Sequence, residues 1–229
     1  DGLDTTGWTI SGTEITTGRT DAGTTNVYFA EPDNLKVLDK EGNPVNTAKV
    51  NVTFGTLTVT KAPLILTADS AEKEYDGTPL TKDSYQVTGL KGEDKITAIQ
   101  ITGSQLAPGS SKNAIEKNSI AIQNASGTSA NQNYEITIKD GTLTVTNSEK
   151  ENRVITVTAN SGEKTYDGKP LTNPTFQVTG ETLNGLVDRS QVKIQGSQTL
   201  AGSGKNVVDA DSVHVMNSGV DVTEAYTIK

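Results

Sequence analysis

Apolar residues in this chain come in short alternating runs with polar clusters between them. Positions 64–68 and 154–159 alternate Leu, Ile or Val with Thr or Ala, the period of a strand with one buried face. Similar runs stand at 85–88, 176–179, 96–102, 191–195, 120–123 and 213–216. Val, Ile and Thr dominate them, and branching at Cβ suits an extended, half-buried backbone. Gly, Asn, Asp and Ser fill the gaps and supply turns. Residues 134–138 and 143–146 predict a hairpin through Lys139-Asp140-Gly141, because Asp-Gly is a strong hairpin turn. The one helical signal is 112–118, enough for a turn or two and without an apolar stripe. The pattern predicts an all-β chain built as tandem small β-sandwich or grasp-like modules. At about six to seven strands each, these are Ig-like in size.

The tandem arrangement is visible in the residues themselves. Residues 67–89 read TADSAEKEYDGTPLTKDSYQVTG and residues 158–180 read TANSGEKTYDGKPLTNPTFQVTG, with 15 of 23 positions identical. A second shared block follows, ITGSQLAPGSSKN at 101–113 and IQGSQTLAGSGKN at 194–206. Tyr134 and Tyr226 each open a strand ending in Thr-Ile-Lys, and GTLTVT occurs at 55–60 and 141–146. The predicted organisation is therefore a short or partial repeat at 1–60, a complete one at 61–148, and one at 149–229 without a closing GTLTVT strand. Pro63 suits a stiff boundary, and the charged run 147–153 reads as a solvated linker.

Composition narrows the function more than the fold. Of 229 residues, 32% are hydrophobic and 4% aromatic, which favours several thin cores over one large one. The net charge of −8 opposes binding to a nucleic-acid backbone. No apolar run approaches the ~20 residues of a membrane helix. There is no Cys and a single His, His214, which removes disulfides, thiolate zinc sites and cysteine nucleophiles. No catalytic centre, metal or cofactor is expected. With no leader or sorting signal visible, the chain is expected to be a monomeric internal segment of a longer protein.

The sharpest motif is Tyr75-Asp76-Gly77 with Pro79, matched by Tyr166-Asp167-Gly168 with Pro170. It predicts a turn in which Asp caps backbone N–H groups, Gly takes positive φ, Pro fixes the exit and Tyr packs inward. Lys73 and Lys164 precede it at matched positions. A Lys–Asn crosslink from Lys73 to Asn133 has no counterpart at Ala225, so surface lysines are expected. The acidic clusters 209–212 and 39–43 lack an EF-hand spacing and read as solvated loops. Trp8, Tyr28 and Phe29 form the only aromatic group away from the repeat core. Packing is expected of them, and an exposed ring face would instead make a sugar platform. His214 alternates away from Val213 and Val215 and is expected on an exposed face.

Together these features resemble the YDG or MBG repeat modules of bacterial surface adhesins: an opening Val/Leu-Thr-Ala strand, Lys-x-Tyr-Asp-Gly-x-Pro-Leu, a Val-Thr-Gly strand end, a later Tyr strand and GTLTVT as closure. The resemblance covers the middle repeat fully, the last nearly so, and the first in its second half. It implies an extracellular, cell-wall-linked, non-enzymatic repeat region acting as stalk or spacer and contributing to adhesion, with a host glycan or protein as possible partner. Direct glycan or protein binding, or an accessory region of a secreted enzyme, are the alternatives.

Overall fold

The computed structural model describes residues 4–15, 17–29 and 32–229. Among these the chain is nearly all β, as the alternation predicts, and its helical pieces are single 3-10 turns such as Lys117–Ser119 and Thr223–Ala225. No helix among the described residues is long and apolar enough to cross a membrane.

The middle repeat opens with the strand Ala62–Ala68, whose alternation buries Leu64, Leu66 and Ala68. This strand lies between Tyr134–Lys139 and Tyr85–Thr88 in a three-stranded sheet. A second sheet runs in the order Ala71–Glu74, Gly141–Thr146, Gly109–Ile115, Ile101–Thr102. Its strand Gly141–Thr146 is parallel to Ala71–Glu74, with Val145 opposite Lys73, and antiparallel to Gly109–Ile115, with Gly109 opposite Val145. Leu143 and Val145 point inward and are buried.

Two expectations fail here for identifiable reasons. The strands on either side of Asp140 are not a hairpin: each pairs within a different sheet. Gly141 is needed for close approach, not for a turn, since a Cβ there would stand 2.4 Å from the carbonyl oxygen of Asp69. Residues 112–118 are not helical; Gly109–Ile115 is a strand, ending in the 3-10 turn Lys117–Ser119. Its Ser-Ser-Lys-Asn stretch carries little apolar signal because the strand is satisfied by ladders on both sides. The run 96–102 is also broken, into Lys95–Ala98 and Ile101–Thr102.

The last repeat reproduces the first of these sheets, with Val154–Ala159 between Phe176–Thr179 and Thr227–Ile228. Leu186–Val187, Val215–Asn217 and Val220–Asp221 form another sheet, and Ile194–Gln195 pairs with Val207–Val208. The expected strand 213–216 starts later, because Val213 closes the 3-10 turn Ala210–Ser212. In the N-terminal segment Thr9–Ser11 pairs with Lys36–Leu38. Gly23–Asn26 pairs with Thr56–Val59, placing Gly23 opposite Val59 as Gly109 stands opposite Val145.

Contacts divide the chain into two compact units. One contains Asp1–Ile65, Val87–Ala98 and Ile120–Thr137; the other contains Leu66–Gln86, Ile99–Ser119 and Ile138–Lys229. Both draw on the middle repeat. In the first, Leu64, Ile122, Ala130 and Tyr134 are buried, and the Tyr134 hydroxyl donates to Asp94 at 2.7 Å while accepting from the Lys91 amide at 2.9 Å. In the second, Tyr75, Val145, Ile155, Val157, Val215 and Tyr226 belong to one apolar cluster.

Candidate functional site

The Tyr-Asp-Gly loop is built the same way in both copies. Asp76 Oδ1 accepts the Thr78 amide at 2.9 Å, and Asp167 Oδ1 accepts the Lys169 amide at 3.0 Å. Gly77 and Gly168 each hold φ of +78°, a left-handed conformation open to Gly at little cost. Beyond Pro79 and Pro170 the chain re-enters a bridge, Leu80 exchanging backbone hydrogen bonds with Gln105 and Leu171 with Gln198. Lys73 and Lys164 are the loop's clamps. Lys73 Nζ donates to Asp76, the Thr78 carbonyl and the Thr78 hydroxyl at 2.7–2.8 Å, and Lys164 Nζ donates to Asp167 at 2.6 Å. The lysine beside Asp76, helped by the Thr78 hydroxyl, lowers its carboxyl to about 2; Lys164 lowers Asp167 likewise.

What surrounds the two loops differs. Tyr75 is 2% exposed and meets Tyr226 edge-on, with ring centroids 5.9 Å apart. The Arg153 guanidinium lies 5.5 Å from the Tyr75 centroid. Asn217 Nδ2 donates to the Gly77 carbonyl at 2.9 Å. Leu80, Leu106 and Ala107 pack against the same cluster. The loop of the middle repeat is thus plugged into the last one. Tyr166, expected inward, is instead 63% exposed, and the tight turn alone provides no core for its ring. Leu200, which holds the place of Ala107 in the shared block, is 71% exposed.

The run 147–153, read as a solvated linker, acts as a clasp. Arg153 is buried; its Nε donates to the Ala225 carbonyl at 2.8 Å and its Nη2 to Glu74 at 3.1 Å. Asn147 Nδ2 donates to the Glu224 carbonyl at 2.7 Å. Glu74 also accepts from the Thr146 hydroxyl at 2.6 Å and from Ser148 and the Glu149 amide. These donors, Thr146 foremost, lower its carboxyl to about 2. Pro63 likewise lies inside the strand Ala62–Ala68 and not in a linker. Burial raises the Tyr226 phenol, whose hydroxyl donates to the Thr182 carbonyl at 2.6 Å.

The other candidates are scattered. Tyr28 and Phe29 lean on Phe54, at centroid distances of 5.2 and 6.2 Å, and Trp8 makes no ring contact among the described residues. Tyr28 and Phe54 remain about half exposed. Asp39 turns its carboxylate onto its own loop, accepting the Glu41 and Asn43 amides at 3.0 and 2.8 Å. Asp209 accepts from Gln195 at 3.1 Å. No group of three or more His, Asp or Glu side chains converges among the described residues. His214 Nδ1 lies 3.1 Å from Asp221 on an exposed face. Sequence reasoning passed over Arg153, Asn217 and the pair Asn113 and Asn206. Only the last had a signal, the shared Lys-Asn of the second block.

Residues 64–144 match the MBG domain, YGX type. The resemblance drawn from the YDG and GTLTVT residues therefore holds for the middle repeat. The matched stretch contains the MBG loop at Tyr75–Gly77, its clamp Lys73 and the strand Gly141–Thr146. The last repeat is tied to the MBG repeat by its 15 shared positions in 23 and by its recurring sheet. No curated protein and no solved structure matches the chain.

Proposed function

We propose that the chain is a non-enzymatic spacer segment of an extracellular bacterial surface protein, in which MBG-type repeats are interlocked and hold a more distal part of the protein away from the cell. The observation that carries this is the burial of Tyr75 beneath Tyr226 and Arg153. A loop otherwise free for ligand binding serves as a joint, and a joint that excludes water resists bending between repeats. The acidic surface keeps such an array soluble. NMR relaxation tests the reading: the middle and last repeats should tumble together, and Tyr75→Ala should release them. Independent tumbling of the unmodified protein would refute an interlocked spacer.

A second reading, direct adhesion, is favoured by one feature. Tyr28 and Phe54 present half-exposed rings at 5.2 Å, a surface suited to the apolar face of a sugar. A glycan array that captures the protein, with capture lost in Tyr28→Ala, would establish this role instead.

A further inference from the structure

Gly141–Thr146 fills the space between two strands of the middle repeat, and the last repeat has the same two edges with nothing between them. The edge matching Gly109–Asn113 is 202–206, with the same Gly-Ser-x-Lys-Asn sequence; the edge matching Ala71–Glu74 is 162–165. Neither segment has a ladder partner among the described residues. Between them runs a groove of about 480 Å³, lined by Gly162, Glu163, Gly202, Gly204 and Asn206 among others. The groove is preformed. Asn206 Nδ2 donates to the carbonyls of Asn160 and Asn173 at 2.8 and 2.9 Å, as Asn113 Nδ2 donates to those of Asp69 and Lys82 at 2.9 and 2.8 Å. In the middle repeat the Thr146 carbonyl at the strand's end accepts the Tyr75 amide at 3.0 Å, so the filled groove leads directly to the Tyr-Asp-Gly loop. In the last repeat that loop shows an exposed Tyr166 beside an exposed Leu200.

We infer that the last repeat carries an open docking site for a further MBG-type repeat joined in the same polypeptide. A strand of the Gly-Thr-Leu-Thr-Val-Thr kind enters the groove, parallel to 162–165 and antiparallel to 202–206. The repeat that follows it covers Tyr166 and Leu200 with residues playing the parts of Tyr226, Arg153 and Asn217. The occupant is a tethered repeat and not a free one. In the observed joint a single tyrosine loop enters the neighbour, and the short clasp 147–153 supplies the high effective concentration that so small a contact requires. This goes beyond the spacer reading and stands on the joint's geometry alone; a protein that binds glycans would sink the spacer and leave the docking site intact.

The test compares three proteins: the chain itself, the chain extended after Lys229 by a second copy of residues 140–147, and the chain extended by a second copy of residues 140–229. Amide exchange reads the groove and nitration by tetranitromethane, mapped by mass spectrometry, reads Tyr166. Both extensions should slow exchange at 162–165 and 202–206 by about ten-fold or more. Only the longer one should protect Tyr166 from nitration, while Tyr28 reacts equally in all three. In the longer protein, replacing the appended copy's counterpart of Tyr226 with Ala should restore Tyr166 reactivity. Unchanged exchange in both extensions overturns the groove assignment. Tyr166 left reactive in the longer protein overturns the docking face. A chain that dimerises without extension and already protects both sites overturns the tethered occupant in favour of a second copy.

Discussion

Two glycines with one backbone conformation separate the cost of a turn from the cost of a joint. Gly77 and Gly168 both stand at φ +78° after Tyr-Asp. Replacing either with Ala costs about 1 kcal/mol for placing a Cβ in left-handed backbone. The gain from a stiffer unfolded chain is the same at both and cancels in the comparison. Beyond this the sites diverge. A Cβ on Gly168 meets nothing within 4 Å, whereas one on Gly77 would stand 2.2 Å from the Leu183 carbonyl oxygen and 2.7 Å from its carbon. Backbone cannot be turned aside as a flexible side chain can, so the loop must lift by about 1 Å or the Leu183 turn must yield. Lifting breaks the 2.9 Å bond from Asn217 to the Gly77 carbonyl, and leaving a buried amide unpaired costs about 1–3 kcal/mol. It also loosens Tyr75 against Tyr226. Gly168→Ala should therefore lose about 1 kcal/mol and Gly77→Ala about 3–5 kcal/mol. Both positions belong to the same compact unit, so one transition reports both. In thermal melts followed by circular dichroism, these losses correspond to drops of about 2–4 °C and about 6–15 °C, respectively. Equal losses at the two sites would refute the claim that Gly77 is held by the neighbouring repeat.

Three other expectations follow from the same joint. The Tyr75 hydroxyl is buried without a hydrogen-bond partner, so Tyr75→Phe should leave stability unchanged or raise it, while Tyr75→Ala should lose about 3–5 kcal/mol in urea denaturation. Glu74 is lowered to about 2 in the folded protein from an ordinary carboxyl value of 4.5; its contribution is complete above pH 4.5 and disappears as pH falls towards 2. Stability measured across that window should fall less steeply in Glu74→Gln, and an identical acid profile would contradict the assignment. Asn113→Ala strips the carbonyls of Asp69 and Lys82 of their shared donor and should cost more than about 2 kcal/mol by chemical denaturation, where a loss near zero would show that the clamp is replaced by water.

Much of this fold was legible because its signals are local. Alternation located Val154–Ala159, Tyr85–Thr88 and Phe176–Thr179 to the residue, and Tyr-Asp-Gly specified a turn that both copies adopt. The failures concern residues whose meaning is set by partners far along the chain. Asp140-Gly141 carries hairpin chemistry, yet Gly141 is small because Asp69 passes beside it, and the two strands it joins enter different sheets. Ser110 to Asn113 looks like a polar loop because its strand is stabilised by ladders and not by apolar side chains. Arg153 reads as a linker charge, although a guanidinium with four acceptors and an aromatic face around it can be buried.

The loop itself shows why a matched sequence does not imply a matched environment. Lys, Asp, Gly and Pro set the turn in each repeat, and they do so within eight residues. The tyrosine they present is buried or exposed according to what the next segment offers. At Tyr75 that offer is a pre-assembled surface: Tyr226 held by Thr182, Arg153 held by Ala225, Asn217 directed at the Gly77 carbonyl. None of these residues lies in the repeat that owns the loop, so the loop's stability is coupled to its neighbour. Stability in such an array is the sum of each repeat and its junctions, and a change at one joint is felt on both sides of it. The Tyr-Asp-Gly motif is best understood as half of an interface, whose other half is the Tyr strand, the clasp arginine and the asparagine of the repeat that follows.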